Sequence, residues 1–162
     1  MHPTRRRRVS RELRNAKALA LTVIIELKLG NGAITNTLTF NGMPALLFEA
    51  EGKHIVKCLP LNQIGVGNTP DEAFNVLGID LVDALKEALA EKTLEDVVRD
   101  MLIGRAAPMY WDVYMQLAKK PVEPKSIKRY IENLELTTDT YIDPALIEKY
   151  RNLPVSAATA NG

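Results

Sequence analysis

The chain has 162 residues, of which 46 % are hydrophobic, and this is enough for one domain with a buried core. No apolar run reaches the length of about 18 residues that a membrane-spanning helix needs, and the longest, Ala18 to Ile25, ends at Glu26. A single cysteine, Cys58, cannot form an internal disulfide. The segment after the basic N-terminus lacks a secretory cleavage site. We therefore expect a cytoplasmic protein without membrane contacts.

Charge is segregated along the chain, although the formal net charge is only +1. The first seventeen positions hold seven of the 21 basic residues and one acidic residue, Glu12. The remaining residues carry 14 basic and 19 acidic side chains, a net charge of −5. We predict a flexible basic arm and a mildly acidic body. The basic residues of the arm are Arg5, Arg6, Arg7, Arg8, Arg11, Arg14 and Lys17.

The segment from 18 to 67 has the pattern of a β-sheet. Apolar residues alternate from Leu21 to Leu29, a Gly30-Asn31-Gly32 turn follows, and alternation resumes as far as Asn41-Gly42. Met43 to Ala50 and His54 to Leu59 resemble a second antiparallel pair, and a short strand from Ile64 to Gly67 completes the sheet. Because the links are short, we predict an antiparallel sheet of four to five strands.

Helical signals begin at Asn68. Thr69, Pro70 and Glu72 form a capping box, and apolar residues then recur at helical spacing to Lys92, with Gly78 as a potential bend. Further helices are predicted at 93–102, 108–119, 126–134 and 144–151, with a disordered tail from Pro154. Strands followed by helices are typical of an α+β fold, here with a helical C-terminal half covering one face of the sheet. The predicted domains are a basic arm (1–17), an α+β core (18–92), a helical extension (93–153) and a tail (154–162).

Candidates for catalysis or metal binding have simpler interpretations. Cys58 and His54 are four positions apart in a predicted strand, about 13 Å, which is too far for a catalytic dyad. Two histidines and one cysteine do not supply a tetrahedral metal site without carboxylates from elsewhere. Gly65-Val66-Gly67 lacks the third glycine of a dinucleotide motif and the lysine of a Walker motif, so we interpret it as a tight turn. We expect no catalytic residue, no cofactor and no metal.

Two other groups of residues favour structural roles. The carboxylate pairs Asp71-Glu72, Glu95-Asp96 and Glu49/Glu51 are interpreted as helix starts or solvated surface. Tyr110, Trp111 and Tyr114 are the only aromatic cluster, and we expect a core or dimer contact because no basic residue interleaves with them.

Residues 43–91 resemble the HicB-like antitoxin domain of bacterial toxin–antitoxin systems. The resemblance lies in an apolar strand (43–50), an acidic-glycine turn (51–53), a second strand (54–60) and a third strand that joins a Thr-led helix (64–74). It implies a partly RNase-H-like β–β–β–α core without a catalytic centre. It also implies a tendency to form homo-oligomers, and a small RNase toxin as partner. Many relatives add a C-terminal DNA-binding motif. The candidate here is a helix-turn-helix in the segment from Ser126 to Tyr150, although its linker lacks the usual glycine turn.

Two functional hypotheses remain. The first is a non-catalytic antitoxin-like protein whose acidic body masks a small basic RNase. The second is a nucleic-acid-associated accessory protein that contacts phosphates through its arm. The candidate contact residues for the second hypothesis are Arg5, Arg6, Arg7, Arg8, Arg11 and Arg14.

Overall fold

The computed structural model describes residues 13–103, 106–132 and 140–142, which form six strands and three helices. In chain order these are β1 (Lys17–Lys28), β2 (Ile34–Ala50), β3 (Lys53–Cys58), β4 (Gln63–Gly67), α1 (Pro70–Leu89), α2 (Leu94–Ile103), α3 (Pro108–Leu117), β5 (Glu123–Glu132) and β6 (Thr140–Ile142). The predicted helix at 144–151 and the predicted tail from 154 lie outside the described residues.

The predicted α+β class is confirmed, but the sheet is mixed rather than antiparallel. Strands β1 to β4 form an antiparallel meander, whereas β5 pairs with β1 and β6 pairs with β2 in parallel. The strand order is β4-β3-β2-β1-β5, with β6 beside β2. Parallel neighbours need a long crossover, and the three helices between β4 and β5 provide it.

The predicted helix from Ser126 to Leu134 is wrong, because the residues as far as Glu132 belong to β5. Only Ile127 and Ile131 are buried in this strand, and they are four positions apart. That spacing fits one face of a helix and one face of a strand equally well, so periodicity alone does not separate the two. The C-terminal half is therefore not wholly helical.

The predicted hairpin of β1 and β2 is confirmed, but β2 does not end at Asn41-Gly42. A β-bulge at these residues lets it continue: one residue of β1, Thr22, faces both of them. Gly42 has a φ of 62° and donates its backbone N–H to Thr22 Oγ1 at 3.1 Å. Positive φ favours glycine, so the dipeptide bends a long strand instead of closing a turn.

Helix α1 begins where the capping box predicts. The backbone N–H of Glu72 donates to Thr69 Oγ1 at 3.1 Å, and Pro70 occupies the first turn. The helix continues through Gly78 without a break. A Cβ at Gly78 would lie 3.0 Å from Ile127 Cγ2, so this glycine allows β5 to approach α1 closely.

Helix α1 packs against both edges of the described sheet. Its Ala73 and Leu77 meet β4, and Gly78 meets β5 on the opposite side of the helix. Strands β4 and β5 are four strand spacings apart, about 19 Å in a flat sheet, whereas a helix is about 10–12 Å wide. The sheet must therefore curve around α1, which lies in its concave face.

The helices cover both faces of the sheet, so the prediction that they cover one face is wrong. An inner core joins alternate residues of β1, from Leu19 to Leu27, to α1 and α2. An outer core joins Leu46 and Phe48 of β2 to Trp111 of α3. Both cores form because the apolar run at the end of β2, from Met43 to Phe48, is not interrupted by charged residues. It therefore buries side chains on both faces of the sheet.

The first described residues are packed into the outer core. Leu13 and Ala16 are 4 % and 7 % exposed. Residues 13–17, which the sequence analysis assigns to the basic arm, therefore pack against the body.

We expect Leu81→Ala to lower the free energy of unfolding by about 2–5 kcal/mol, because it opens a cavity between α1 and the sheet. The matched control is Ile79→Ala on the same helix, where the side chain is 47 % exposed and the cost is expected within about 0.5 kcal/mol. Chemical denaturation measures both. Similar losses for the two variants would contradict the orientation of α1.

Candidate functional site

Most of the arginines predicted to bind nucleic acid lie outside the described residues. These are Arg5, Arg6, Arg7, Arg8 and Arg11. The sixth, Arg14, is exposed between the buried Leu13 and Ala16. A nucleic-acid contact by the arm thus stays a prediction, and its described end is held at the surface of the body.

Cys58 and His54 have different partners. Cys58 Sγ lies 3.7 Å from Met43 Sδ in the inner core, and His54 Nε2 lies 3.4 Å from Glu49 Oε1 at the rim of a cavity of about 450 Å³. Burial raises the pKa of the Cys58 thiol to about 12, so it is protonated at neutral pH. A protonated, buried thiol is neither a nucleophile nor a metal ligand.

We expect Cys58 to react with a thiol reagent at neutral pH at least about a hundredfold more slowly in the folded protein than in denaturant. The reason is that the thiol is fully buried and its pKa is raised. Absorbance of the released chromophore from a disulfide reagent measures both rates. Comparable rates would show that Cys58 is accessible and would reopen the question of its reactivity.

Gly65 and Gly67 lie inside β4, and the interpretation of them as a tight turn is wrong. A Cβ at Gly65 would lie 2.0 Å from the backbone oxygen of Ala73, and one at Gly67 would lie 2.7 Å from the backbone nitrogen of Ala73. Both glycines therefore bring the backbones of β4 and α1 into contact.

The aromatic cluster is part of the outer core. Trp111 is 7 % exposed, and its Nε1 donates to the backbone oxygen of Ala106 at 3.1 Å. The ammonium of Lys57 lies 4.4 Å from the centre of the Tyr110 ring, and burial lowers the pKa of Lys57. These contacts hold α3 on the sheet.

The most strongly charged surface of the described residues is the α1–α2 segment. Residues 70–100 carry nine acidic and three basic side chains, a net charge of −6. Two of the three basic residues pair locally: Lys92 Nζ is 2.8 Å from Asp100 Oδ2, and Arg99 is 3.3 Å from Asp96. The hydrogen bond with Asp100 raises the pKa of Lys92. The excess negative charge therefore falls on α1.

Four carboxylates of α1, with Glu91 just after its last residue, form a row toward the side of the helix that faces β4. Residues seven positions apart lie on one side of a helix, and Ala73, Asp80 and Glu87 have this spacing. Ala73 contacts β4, which fixes that side. We call the following exposed residues the acidic row: Glu72, Asp80, Asp83, Glu87 and Glu91.

The opposite side of α1 faces basic residues of β5. Lys125 Nζ lies 3.8 Å from Asp71 Oδ1 and 4.7 Å from the centre of the Phe74 ring. Arg129 donates to the side chain of Asn75. Within the described residues no basic side chain lies within 4 Å of a carboxylate of the acidic row, so the ion pair of α1 with the sheet lies on the β5 side.

Sequence reasoning identified the acidic body but missed the row. The spacing of Asp80, Glu87 and Glu91 was visible as a helical pattern, yet the pattern does not tell which side of α1 meets β5 and its cations. The glycine contacts and the β5 ion pairs supply that information. Among the described residues, no three His, Cys, Asp or Glu side chains are grouped so that they could hold a metal ion.

No helix in the described part of the chain has the length and apolar composition needed to cross a membrane. No protein-family model matches the chain, and no significant match to it is found among curated proteins or solved structures.

Proposed function

We propose that this chain is a non-catalytic binding protein that masks a small basic RNase, in the manner of a HicB-type antitoxin. The observation that carries the proposal is the acidic row, whose carboxylates form no ion pair within 4 Å with a basic side chain of the described residues. An enzyme that binds RNA needs a cationic surface, and an acidic surface attracts it and covers it.

The order of elements in residues 43–91 supports the same proposal. A strand, a turn at Glu51-Gly52, two further strands and a capped helix follow one another as the resemblance implies. The buried, protonated Cys58 is unsuited to act as a nucleophile, which supports a binding role over catalysis by this thiol.

We expect a small basic protein encoded in a neighbouring reading frame to co-purify with this chain and to lose RNase activity in the complex. Neutralising four of the five residues of the row with Asp80→Asn, Asp83→Asn, Glu87→Gln and Glu91→Gln together should slow association by about tenfold or more at low salt. The control combines Asp112→Asn and Glu123→Gln, which are exposed on α3 and β5. Stopped-flow or surface-binding kinetics measure both rates.

The antitoxin proposal fails if no neighbouring frame encodes a basic RNase that binds. It also fails if the row variant and the control associate equally fast. Activity that persists in a stoichiometric complex would show binding without masking.

A second candidate function is nucleic-acid binding by the arm, which the concentration of basic residues in the first seventeen positions favours. Because Leu13 and Ala16 are buried, the deletion that tests it must stop at residue 12. Removing residues 1–12 takes away Arg5, Arg6, Arg7, Arg8 and Arg11 and keeps every described residue of the outer core.

We expect this deletion to remove most of the affinity for generic duplex DNA. If four or five of these arginines contact phosphates, the slope of log affinity against log salt should become less negative by about 3.6 to 4.5, at about 0.9 per contact. Fluorescence anisotropy with a labelled duplex measures it, and the unchanged unfolding midpoint of the shortened chain is the control. A full-length protein without salt-dependent affinity at low ionic strength would exclude this function.

A further inference from the structure

Strand β4 is an edge of the described sheet and lacks the usual protection of an edge. It pairs with β3 on one side, and within the described residues it has no strand on the other. Its sequence, Gln-Ile-Gly-Val-Gly, contains no charge and no proline. The opposite edge, β5, carries Pro124, Lys128 and Arg129, which are the residues that discourage further pairing. Of these two ends of the described strand order, β4 is therefore the one whose open row of backbone donors and acceptors is unprotected.

The outer face of this edge is apolar and exposed. Ile64 and Val66 are 45 % and 40 % exposed, and they lie opposite Lys57 and Ile55 of β3. Both point away from α1, because the alternate residues Gly65 and Gly67 contact that helix. A strand added at β4 would place every second side chain beside Ile64 and Val66.

The inner flank of the same edge is acidic. Gly67 adjoins Glu72 and Gly65 adjoins Leu77, so α1 runs antiparallel to β4. The helix rises about 12 Å from Glu72 to Asp80, close to the length of about 13 Å between the ends of the five-residue strand. These two carboxylates therefore flank the full length of β4 on the inner side, and the acidic row continues beyond it.

We propose that the free edge of β4 binds an extended segment of a basic partner by strand addition, and that this segment alternates apolar and basic residues. Its apolar side chains cover Ile64 and Val66, and its lysines or arginines face Glu72 and Asp80. Backbone hydrogen bonds supply affinity, and the two unlike faces supply specificity. This docking mode rests on the proposed function, since it specifies how the masked protein is bound.

The charges disfavour a second copy of this chain as the occupant. Antiparallel pairing of β4 with β4 of another molecule would place two α1 helices on the same face of the joined sheet. Each helix carries its acidic row on the side that faces β4, so the two rows would face each other across the junction. A cationic strand relieves this repulsion, and a second copy increases it.

The probe is a labelled nine-residue peptide of alternating valine and lysine, compared at low ionic strength with a peptide of the same composition in which the two residue types are grouped. We expect the alternating peptide to bind at least about tenfold more tightly. N-methylation of one set of alternate amides in the peptide should abolish binding, and methylation of the other set should leave it. Amide hydrogen exchange should show added protection in residues 63–67.

Two pairs of variants test the two faces of the edge. Val66→Lys should weaken peptide binding by about tenfold or more, whereas Ile34→Lys, at an exposed aliphatic residue at the start of β2, should not change it. Glu72→Gln with Asp80→Asn should weaken binding and reduce its salt dependence, whereas Asp112→Asn with Glu123→Gln should not. Circular dichroism confirms that each variant is folded.

Three results would overturn the proposal: equal binding of the two peptides, no effect of Val66→Lys, or tolerance of both methylation patterns. A dimer of the full chain that Val66→Lys dissociates, with β4 protected from exchange in the dimer, would assign the edge to a second copy instead. The docking mode and the function fail separately. If the neighbouring RNase is still masked by the Val66→Lys variant, the docking mode is wrong and the masking function stands.

Discussion

Backbone contact between α1 and β4 is the constraint on which the described structure depends. The helix and the strand approach so closely at Gly65 and Gly67 that any side chain there would collide with the helix backbone. On its other side α1 approaches β5 at Gly78. A helix that packs closely against a strand on each side cannot rotate about its axis. The contacts with β4 and β5 therefore fix which residues of α1 are buried and which are exposed. The inner core, the curvature of the sheet and the orientation of the acidic row follow from this one arrangement.

The same arrangement explains why negative charge is unequally distributed around α1. The cations of β5 meet only the side of the helix that carries Asp71 and Asn75. Strand β4 on the other side has no charged residue. Carboxylates on that side therefore have no basic side chain of the described residues within 4 Å. They border a strand edge that is unpaired within the described residues and whose outer face is apolar. Acidic charge, open backbone groups and exposed aliphatic side chains thus occur together at one place, which favours a protein partner over a polyanion.

The outer core gives the sheet a second packed face. It holds both α3 and the residues before β1 against β2. Trp111 fills the space above Leu46 and Phe48, and Leu13 and Ala16 hold the residues before β1 against the same layer. The described end of the predicted basic arm, residues 13–17, is consequently part of the body. The two proposed functions therefore use different parts of the chain: phosphate contact is assigned to the arm, and binding of a basic protein to the acidic row.

Much of the fold followed from the sequence alone, because it depends on local signals. The alternation of β1, the turn at Gly30-Asn31-Gly32 and the cap at Thr69 each act over a few residues, and each lies in the structure where it was predicted. The net acidity of the body was also readable directly. Only the tertiary structure decided the parallel position of β5, because Ile127 and Ile131 fit a helix and a strand equally well. It also decided the purpose of Gly65 and Gly67, since a glycine required by a neighbouring helix has the same local pattern as a glycine in a turn. The acidic row and the open edge of β4 were also decided only by the tertiary structure. Each depends on which side of a helix or strand is left uncovered by its neighbours, and no local sequence pattern records this.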